Sequence, residues 1–499
     1  MTTVATTNGL ASRARAFAAR HKKKLAALGL LVAGPFLAHA CIGLTMGVSP
    51  PAITFPKLEK RTDGPRTYVG KGFATRERGL IEAHLEGTPE EIGAQHGTLL
   101  YDRMVENERE VWDGFAAIVP FSPARILMFD MGRVMHRNVA ENFPLARRRE
   151  IAAEALAFSP DPYADKLPTY ERMISLHALY DISLGFEHSP LLGCSAFALS
   201  GKATANGHTL VARAFDFDAA DVFDRDKAVF FVKPDGAIPF ASVSWPGLVG
   251  VLTGMNAEGV YVSVNGGRAR DNETRGVPVV VSLRDTLERA HSTAEATAIL
   301  ASQEVMVSHI VFVADGQGRV AIVERAPHEK ANIIETFTDP SRVALTNHFE
   351  GPWKDDPRNL AVRKSSTTVA RRARLDELLP AVREGTATPA TMLATLRDRT
   401  CAAGEGACPI GDRRTLDALI ATHGIVADTT AKILWVGLGP HLAGKFVGFD
   451  LGREFATNDS HERSVQVADL PEDPLLQDTK AYQEGRKRAG GPLLAPKRR

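Results

Sequence analysis

The sequence predicts an α+β protein in which a sandwich of β-sheets is covered by helices. After residue 193, short β-rich runs follow one another and are divided by Gly, Asn, Asp and Pro: CSAFALS, HTLVARAFDF, AVFFVKP, ASVSW and GVYVSVN. Two helical segments come next, VVSLRDTLERAH and TAEATAILAS, and three more strands follow in SHIVFVAD, RVAIVERA and RVALTNH. Runs of strands with helices in pairs are typical of helical layers on sheets.

Composition limits the classes of partner. The chain has 499 residues, with 60 Lys and Arg against 59 Asp and Glu, and 44% of its residues are hydrophobic. A chain of this size buries a substantial core. Its balanced charge gives no electrostatic basis for nucleic-acid binding. GLGPHLAG is glycine-rich but lacks the spacing of a nucleotide fingerprint, so we expect no nucleic-acid partner and no cofactor.

The first 53 residues differ from the rest and predict export. Residues 1–24 end in the basic run RHKKK, and residues 25–53 carry no charged side chain. Positive charge before an apolar stretch places the N-terminus in the cytoplasm and the body outside. We therefore expect an extracytoplasmic protein that meets the membrane through this segment.

Whether the apolar segment is removed stays open. Ala38-His39-Ala40 is similar to a signal-peptidase site, which would give a secreted protein. A retained membrane anchor is the alternative, since the 24 residues from Leu25 to Val48 would reach about 36 Å as a helix. A third interpretation makes Cys41 a lipoprotein cysteine, although His39 departs from the usual small-residue box.

The rest of the chain divides into four predicted segments. Residues 54–78 are predicted as a linker, and residues 79–193 as a largely helical α part. Residues 194–455 are predicted as a β part that carries the catalytic core, including one long helix from about Asn359 to Leu379. Residues 456–499 are polar, lack periodicity and are predicted to be disordered.

Four cysteines occur in the chain. Cys401 and Cys408 are close together in CAAGEGAC, which in an exported protein predicts a disulfide rather than a metal site. Cys194 follows Gly193 in LLGCSAF, at the start of the β-rich half. Taken alone, Cys194 is more typical of a buried structural cysteine.

Polar residues downstream favour a catalytic Cys194. Arg213 and Asp216 stand on the next predicted strand, and Asn265 and Asn347 follow at predicted strand ends. Simpler explanations are a strand salt bridge for the first pair and turn positions for the asparagines. Asp216 and Asp218 lie on one face by alternation and invite a cation site, but no further ligands accompany them, so we expect no metal.

Several segments together resemble a known family. In order they are LEGTPEEIGAQHG, Gly193-Cys194, R-x-x-D, G-M-N-x-x-G, T-N-H and GPHLAGKFVGFDL, across roughly residues 80–455. Their order and spacing are similar to those of acyl-coenzyme A:isopenicillin N acyltransferases and related autoproteolytic N-terminal-nucleophile (Ntn) hydrolases, a wider group that includes the choloylglycine hydrolases.

The resemblance implies a fold, a cleavage and five site residues. It implies a four-layer αββα sandwich and cutting of the Gly193–Cys194 bond, which leaves α and β fragments associated. By position, Cys194 matches the nucleophile, Arg213 and Asp216 the pair that flanks it, and Asn265 and Asn347 the two active-site asparagines. A later family arginine falls within VARRARL, which offers Arg371, Arg372 and Arg374. Substrates would be small amides or acyl compounds, acyl-coenzyme A among them.

The chemistry is consistent without the family name. A cysteine at a new N-terminus brings its own base, because an α-amine titrates near pH 8 and is partly neutral at pH 7. A nearby Arg213 would favour the thiolate, Asp216 could orient the amine, and carboxamides of Asn265 or Asn347 could stabilise an oxyanion. We therefore predict an exported amidohydrolase or acyltransferase. The alternatives are a lipid-amide or ester hydrolase on the same fold, or an inactive, envelope-tethered binding protein.

Overall fold

The computed structural model describes residues 20–184, 192–217, 220–456 and 466–490. The chain separates into two compact units. The smaller combines Met1–Val48 with Val119–Arg137, and the larger combines Ser49–Ile118 with Asn138–Arg499.

In the part of the smaller unit that the structure describes, α1 (Lys22–Thr45) lies with α4 (Ser122–Met135). The side chain of His39 on α1 hydrogen-bonds Asp130 on α4, at 2.9 Å from Nδ1 to the carboxylate. Among the residues that the structure describes, no single helix is long and apolar enough to cross a membrane, whereas the consecutive helices Tyr101–Ile118 and Ser122–Met135 meet that test only together. The side chains of residues 25–32, within the predicted apolar segment, lie outside the described residues.

The larger unit is built on two sheets. The first has eleven strands in the order β1-β2-β3-β4-β7-β8-β9-β10-β11-β12-β13, and the second has seven in the order β14-β5-β6-β15-β16-β17-β18. All pairs are antiparallel except β4 with β7. The strands are β1 (Lys60–Asp63), β2 (Arg66–Val69), β3 (Gly72–Thr75), β4 (Ile81–Gly87), β5 (Leu192–Gly201), β6 (Gly207–Phe217), β7 (Ala228–Pro234), β8 (Phe240–Ser244), β9 (Thr253–Asn256), β10 (Tyr261–Gly266), β11 (His309–Ala314), β12 (Val320–Arg325), β13 (Asn332–Ile334), β14 (Arg342–Leu345), β15 (Ala421–Asp428), β16 (Ile433–Gly437), β17 (Phe446–Asp450) and β18 (Gln466–Leu470).

Helices cover the outer faces of both sheets. The two sheets bury their inner faces against each other in one core, to which Ala196 and Val211 contribute from the smaller sheet and Phe231 and Phe312 from the larger. A second core packs the outer face of the smaller sheet against helices. The helices are α2 (Pro89–Leu99), α3 (Tyr101–Ile118), α5 (Leu145–Ala157), α6 (Thr169–His177), α7 (Leu179–Leu184), α8 (Val222–Arg225), α9 (Val279–Arg289), α10 (Thr293–Ala301), α11 (Pro357–Ser365), α12 (Thr368–Ala381), α13 (Pro389–Leu396), α14 (Leu451–Ala456) and α15 (Thr479–Ala489).

This arrangement confirms the predicted α+β class as a mixed fold of sheets and helices. Strands and helices occur where the β-rich runs and paired helical segments predicted them. The long helix predicted from Asn359 to Leu379 is instead two helices, α11 and α12, which separate at Ser366–Thr367.

Two predicted segments contain strands or helices that the sequence analysis did not expect. Residues 54–78, expected as a linker, contain the strands β1, β2 and β3, which turn at Gly64 and Gly70 with positive φ angles of 56° and 57°. Residues 456–499, expected as a disordered tail, contain β18 and α15. The tail is polar, but Ala489 packs against Ala418 and Ile420, and this contact anchors the helix.

The segment TPEEIGAQHG forms helix α2 for identifiable local reasons. Thr88 and Glu91 form a reciprocal capping box at its first turn. Gly93 and Gly97 let α2 approach α5 closely, because a Cβ atom at Gly93 would lie 2.0 Å from the Glu150 carbonyl oxygen. The close approach places His96 in the interior, where it is 1% exposed.

Candidate active site

Cys194 lies on β5, the second strand of the smaller sheet, between β14 and β6. Its direct partner on β6 is Phe215, while Gly193 pairs with Asp216 and Ala196 with Arg213. Because paired residues point to the same face, the Cys194 side chain shares the inner face with Phe215 and Arg213. Gly193 and Asp216 lie on the opposite face, toward the helices. The two faces of this hairpin therefore present different chemistry.

On the inner face, a buried guanidinium reaches the sulfur. Arg213 Nη2 lies 3.6 Å from Cys194 Sγ, and neither residue is exposed to solvent. Arg213 is held by the Leu252 carbonyl oxygen at 3.1 Å and by shorter bonds to Thr253 Oγ1 and the Val264 carbonyl oxygen. These acceptors belong to the facing sheet, so both sheets position the cation beside the thiol.

Neutral aromatic groups surround this pair. The Phe215 ring lies 4.7 Å from the guanidinium of Arg213 and stacks on His423 at 5.0 Å. Burial, assisted by the charge of Arg213, lowers the pKa of His423 well below its ordinary value. Burial raises the pKa of Tyr261 to about 12 although Arg213 acts in the opposite direction. The guanidinium of Arg213 thus lies beside the sulfur among rings that carry no charge.

On the main-chain side, Asn347 and Arg371 bind Cys194. The Cys194 N–H donates to Asn347 Oδ1 at 2.7 Å. Arg371 Nη1 donates to the Cys194 carbonyl oxygen and, at 2.8 Å, to Ser195 Oγ, while its Nη2 donates to Asn347 Oδ1 at 2.8 Å. Arg372 and Arg374 bind other partners, Glu350 and Asp398. Of the three arginines that the sequence left open, Arg371 is the one that contacts Cys194.

Asp216 lies next to the bond that is predicted to be cut. A Cβ atom at Gly193 would be 3.0 Å from Asp216 Oδ2. Burial lowers the pKa of Arg371, while the charge of Asp216, and then that of Cys194, act to raise it. Asp216 and Arg371 therefore place opposite charges on the outer face, around the main chain at 193–194.

The two asparagines link the sheets reciprocally. Asn265 Nδ2 donates to the Thr346 carbonyl oxygen at 3.0 Å, and Asn347 Nδ2 donates to the Gly266 carbonyl oxygen at 3.0 Å. Each carboxamide nitrogen carries a second hydrogen as well. The structure thus brings Asn265 beside Asn347, which itself binds Cys194.

An apolar cavity extends from the inner face. It encloses about 930 Å³, including space open to solvent, and Phe215 lines it directly opposite Cys194 in strand register. Phe217, Phe223, Trp245 and Tyr180 contribute further aromatic walls. Such a lining fits an apolar group of a ligand.

Two buried histidines fix one wall of the cavity. The Nε2 atoms of His96 and His177 accept hydrogen bonds from the N–H groups of Gly247 and Val249, each at 2.9 Å. Burial lowers the pKa of His96 to about 3 and that of His177 to about 4, so both rings stay neutral. Their part is to hold this loop.

The predicted disulfide and the side chains with metal-ligand spacing are outside the cluster of residues around Cys194. The sulfur atoms of Cys401 and Cys408 are joined, with their Cα atoms 5.7 Å apart. In the described part of the chain, one group of three side chains has metal-ligand spacing, Cys401, Cys408 and Asp412, and the disulfide occupies its two sulfurs. Asp218, considered as a partner of Asp216 in a cation site, lies outside the described residues.

Residues 203–403 match the model of the acyl-coenzyme A:6-aminopenicillanic acid acyl-transferase family. This confirms the resemblance inferred from the motifs. The segment matched to the acyl-transferase family contains Arg213, Asp216, Asn265, Asn347 and Arg371, and it begins after Cys194.

More distant likenesses accompany the acyl-transferase match. An uncharacterized protein of Archaeoglobus fulgidus is 25% identical over 309 residues, which are 58% of this chain and 48% of that protein. The chain thus spans about half the length of the curated relative it matches.

Similar solved structures include an N-acylethanolamine-hydrolyzing acid amidase ortholog of Caenorhabditis elegans, with 16% identity, a TM-score of 0.35 and coverage of 48% of this chain and 93% of that one. Penicillin V acylase of Agrobacterium tumefaciens has 15% identity, a TM-score of 0.33 and coverage of 56% and 99%. A single-residue variant of conjugated bile acid hydrolase of Clostridium perfringens has 13% identity, a TM-score of 0.36 and coverage of 56% and 98%. Likenesses at these identities and TM-scores assign no residue role to this chain.

Sequence reasoning missed several side chains around the site. Ser195, Thr253 and His423 carry no motif, and each acquires its position from the pairing of β5, β6 and β15 or from the facing sheet. For Arg371, a signal was present in its position on a helix after the T-N-H segment, but that signal did not separate it from its neighbours.

Proposed function

We propose that the chain cuts itself between Gly193 and Cys194 and then acts as a cysteine Ntn amidohydrolase or acyltransferase. The observation that supports this proposal most directly is that three side chains contact Cys194. Arg213 approaches the sulfur, Asn347 accepts the main-chain N–H, and Arg371 donates to the carbonyl oxygen. A structural cysteine in a strand needs none of these contacts.

The self-cleavage is an N-to-S acyl shift. The Cys194 sulfur attacks the Gly193 carbonyl carbon, a C–S bond forms, and the C–N bond breaks as the nitrogen takes up the thiol proton. Water then hydrolyses the thioester, which leaves a carboxylate on Gly193 and restores the thiol. Asn347 Oδ1 already accepts from this nitrogen, so it would hold the new α-amine in place.

Turnover would repeat the same steps on an external amide. The α-amine accepts the thiol proton, the sulfur takes the acyl group, and the leaving amine receives the proton. Remaining N–H groups of Asn265 and Asn347 would stabilise the oxyanion, and one such donor typically contributes about 3–4 kcal/mol. Water completes hydrolysis, whereas an acceptor amine would complete acyl transfer.

The cavity supports an apolar acyl group in the substrate. Its aromatic wall begins at Phe215, which pairs with Cys194, so an acyl chain there would present its carbonyl near the sulfur. An ester or lipid-amide hydrolase uses the same cavity, and the family match supports acyl transfer from or to an amide.

Association of the two fragments is supported by the sheet. Strands β1 to β4 precede the cut, yet they occupy one side of the eleven-stranded sheet, where β4 pairs along seven residues with β7. Cleavage would leave this pairing intact. We further propose an extracytoplasmic location, which the paired Cys401 and Cys408 support because disulfides persist in oxidising compartments.

The test is to purify the full chain and read the new N-terminus. We expect a fragment that starts Cys-Ser-Ala-Phe and carries about three fifths of the 53.9 kDa mass. Cys194→Ala should give one uncut chain without activity on a panel of N-acyl amides and matched esters. An uncut wild-type chain with full activity would refute the mechanism. A cut chain that acts on none of the panel would favour the binding protein.

A further inference from the structure

Helix α4 has its polar and apolar sides reversed relative to a helix of a soluble core. Its exposed side chains are mostly large and apolar: Phe121 just before the helix, then Ile126, Leu127, Met128, Met131, Val134 and Met135, each between 37% and 68% exposed. Leu127, Met131 and Met135 recur at a four-residue interval and form one stripe on the helix. In water, such a stripe would be expected to turn inward.

The polar side of α4 instead faces helix α1. Asp130 is 7% exposed and hydrogen-bonds His39 of α1 at 2.9 Å. Arg133 also points to α1, since its Nη1 would lie 3.7 Å from a Cβ atom placed at Gly43. Helix α1 in turn exposes Phe36 and Leu37, at 73% and 65%.

In the α1–α4 pair, polar side chains lie between the helices and apolar side chains face outward. This arrangement is the one expected for helices in lipid. A charged side chain surrounded by hydrocarbon is stable only when it is paired, and His39 with Asp130 provides such a pair. The exposed apolar stripe has no cost there, whereas in water it forms a large apolar patch.

Charge identifies the kind of lipid surface. The sequence of this unit, residues 1–48 and 119–137, contains nine Lys and Arg residues and one acidic residue, Asp130. Exposed cations lie at Arg20, Lys23 and Lys24 before the apolar part of α1, and at Arg137 after α4. Cations at the ends of apolar helices match the anionic headgroup region of a bilayer.

We propose that α4 is a second lipid-contacting element, which inserts its Leu127–Met131–Met135 stripe into an anionic bilayer and is joined to a retained α1 through the His39–Asp130 pair. With 14 residues, α4 is about 21 Å long, which is too short to cross the roughly 30 Å hydrocarbon core by itself. This assignment is independent of the proposed enzymatic function.

The test uses a nitroxide label on the full chain reconstituted in vesicles of phosphatidylcholine and phosphatidylglycerol. The label is placed by Met131→Cys in a Cys41→Ala, Cys194→Ala background, and the control is Leu360→Cys, which is 46% exposed on α11 in the larger unit. We expect the ratio of relaxation by oxygen to relaxation by a water-soluble nickel chelate to be about tenfold higher at position 131 than at 360.

Either of two results at position 131 would overturn the insertion of the stripe into lipid. A high nickel effect at position 131 would mean that the stripe faces water. Low access to both reagents would mean that a second protein copy covers it. The unlabelled chain should also bind vesicles about tenfold more weakly without phosphatidylglycerol, and equal binding would overturn the assignment of an anionic surface.

Discussion

The two faces of the β5–β6 hairpin present different groups to Cys194. On the inner face, the sulfur lies beside the buried guanidinium of Arg213, and Phe215, the strand partner of Cys194, lines an aromatic cavity. On the outer face, the main chain at 193–194 meets a polar cluster of Asp216, Arg371 and Ser195. Asn347 joins this cluster to the facing sheet, because it accepts from Arg371 and donates to the Gly266 carbonyl oxygen.

This difference separates two chemical tasks. The inner groups act on the thiol and receive the acyl part of a substrate, while the outer groups hold the nitrogen and carbonyl of Cys194. In an Ntn enzyme, the nitrogen is the leaving group of self-cleavage and afterwards the base. Substitutions on the inner face should therefore affect every acyl transfer, and those on the outer face should affect self-cleavage most directly.

The largest effect is expected on the inner face, from Arg213→Gln. It removes the cation beside the sulfur and leaves Leu252 and Val264 carbonyl oxygens without their donor. We expect kcat/KM to fall about 10³-fold and the free energy of unfolding to fall by about 3 kcal/mol. Steady-state kinetics and urea unfolding measure both.

The control for this substitution is Arg374→Gln. Arg374 lies on α12, and its guanidinium binds Asp398. It should leave kcat/KM within about twofold of wild type. Arg213→Gln with normal turnover and normal stability would remove the inner cation from the mechanism.

A pH effect is expected near the same face, from Asp181 on α7. Its carboxylate accepts from the Val279 N–H at the start of α9, beside the cavity residue Val280. Burial raises its pKa from 3.8 to about 7, so between these values the folded state holds a proton that the unfolded state has lost. Stability therefore falls as pH rises through this window, by at most about 4 kcal/mol, and then levels off.

Asp181→Asn mimics the protonated carboxyl and isolates this contribution. Urea unfolding at several pH values should show the variant gaining stability over wild type as pH rises from about 4 to 7, with no further change above. Buried histidines such as His96 and His177 act with the opposite sign, and they cancel in the comparison because both proteins contain them. Parallel pH profiles would show that Asp181 is ionised in the folded state throughout.

On the outer face, Arg371→Gln should slow self-cleavage about 10²-fold, because misplacement of the reacting atoms lowers a rate by this order. It removes the donor to the Cys194 carbonyl oxygen and to Asn347 Oδ1, which accepts from the scissile nitrogen. Gel densitometry of the uncut and cut chain over time gives the rate. Arg374→Gln on the same helix is again the matched control, and equal rates for the two variants would contradict the assigned role.

The order of several family-like segments, rather than the local pattern around Cys194, identified the candidate nucleophile together with Asp216 and Asn347. It did not identify Ser195, and it did not select Arg371 from its neighbours. Arg213 and Asp216 are three residues apart on a strand, so alternation alone puts them on opposite faces. Arg371, Arg372 and Arg374 lie close together on one helix, and only the docking of α12 against β5 and β14 selects Arg371.

The strands that sequence analysis missed have two different physical causes. Strand β15, ATHGIVAD, lies between β6 and β16 but carries Gly424, a residue typical of turns. A Cβ atom at that position would lie 2.2 Å from Leu442 Cδ2, so packing requires the glycine. Strands β1 to β3 are four residues each, too short for a periodic signal, and they depend on pairing with β4.

The smallest effect is expected from Gly193→Ala, and it separates the two faces most cleanly. The added Cβ would lie 3.0 Å from Asp216 Oδ2, which crowds the outer face without touching the sulfur side. We expect self-cleavage to slow about tenfold, a barrier increase of about 1.4 kcal/mol. Because Gly193 leaves with the α fragment, the cut variant should turn over substrate with wild-type kcat. Gly132→Ala, on a helix with open space around the new methyl group, is the control and should cut at the wild-type rate. A cut Gly193→Ala enzyme with reduced kcat would mean that the residue before Cys194 still shapes the substrate site, and that the two faces are not separate.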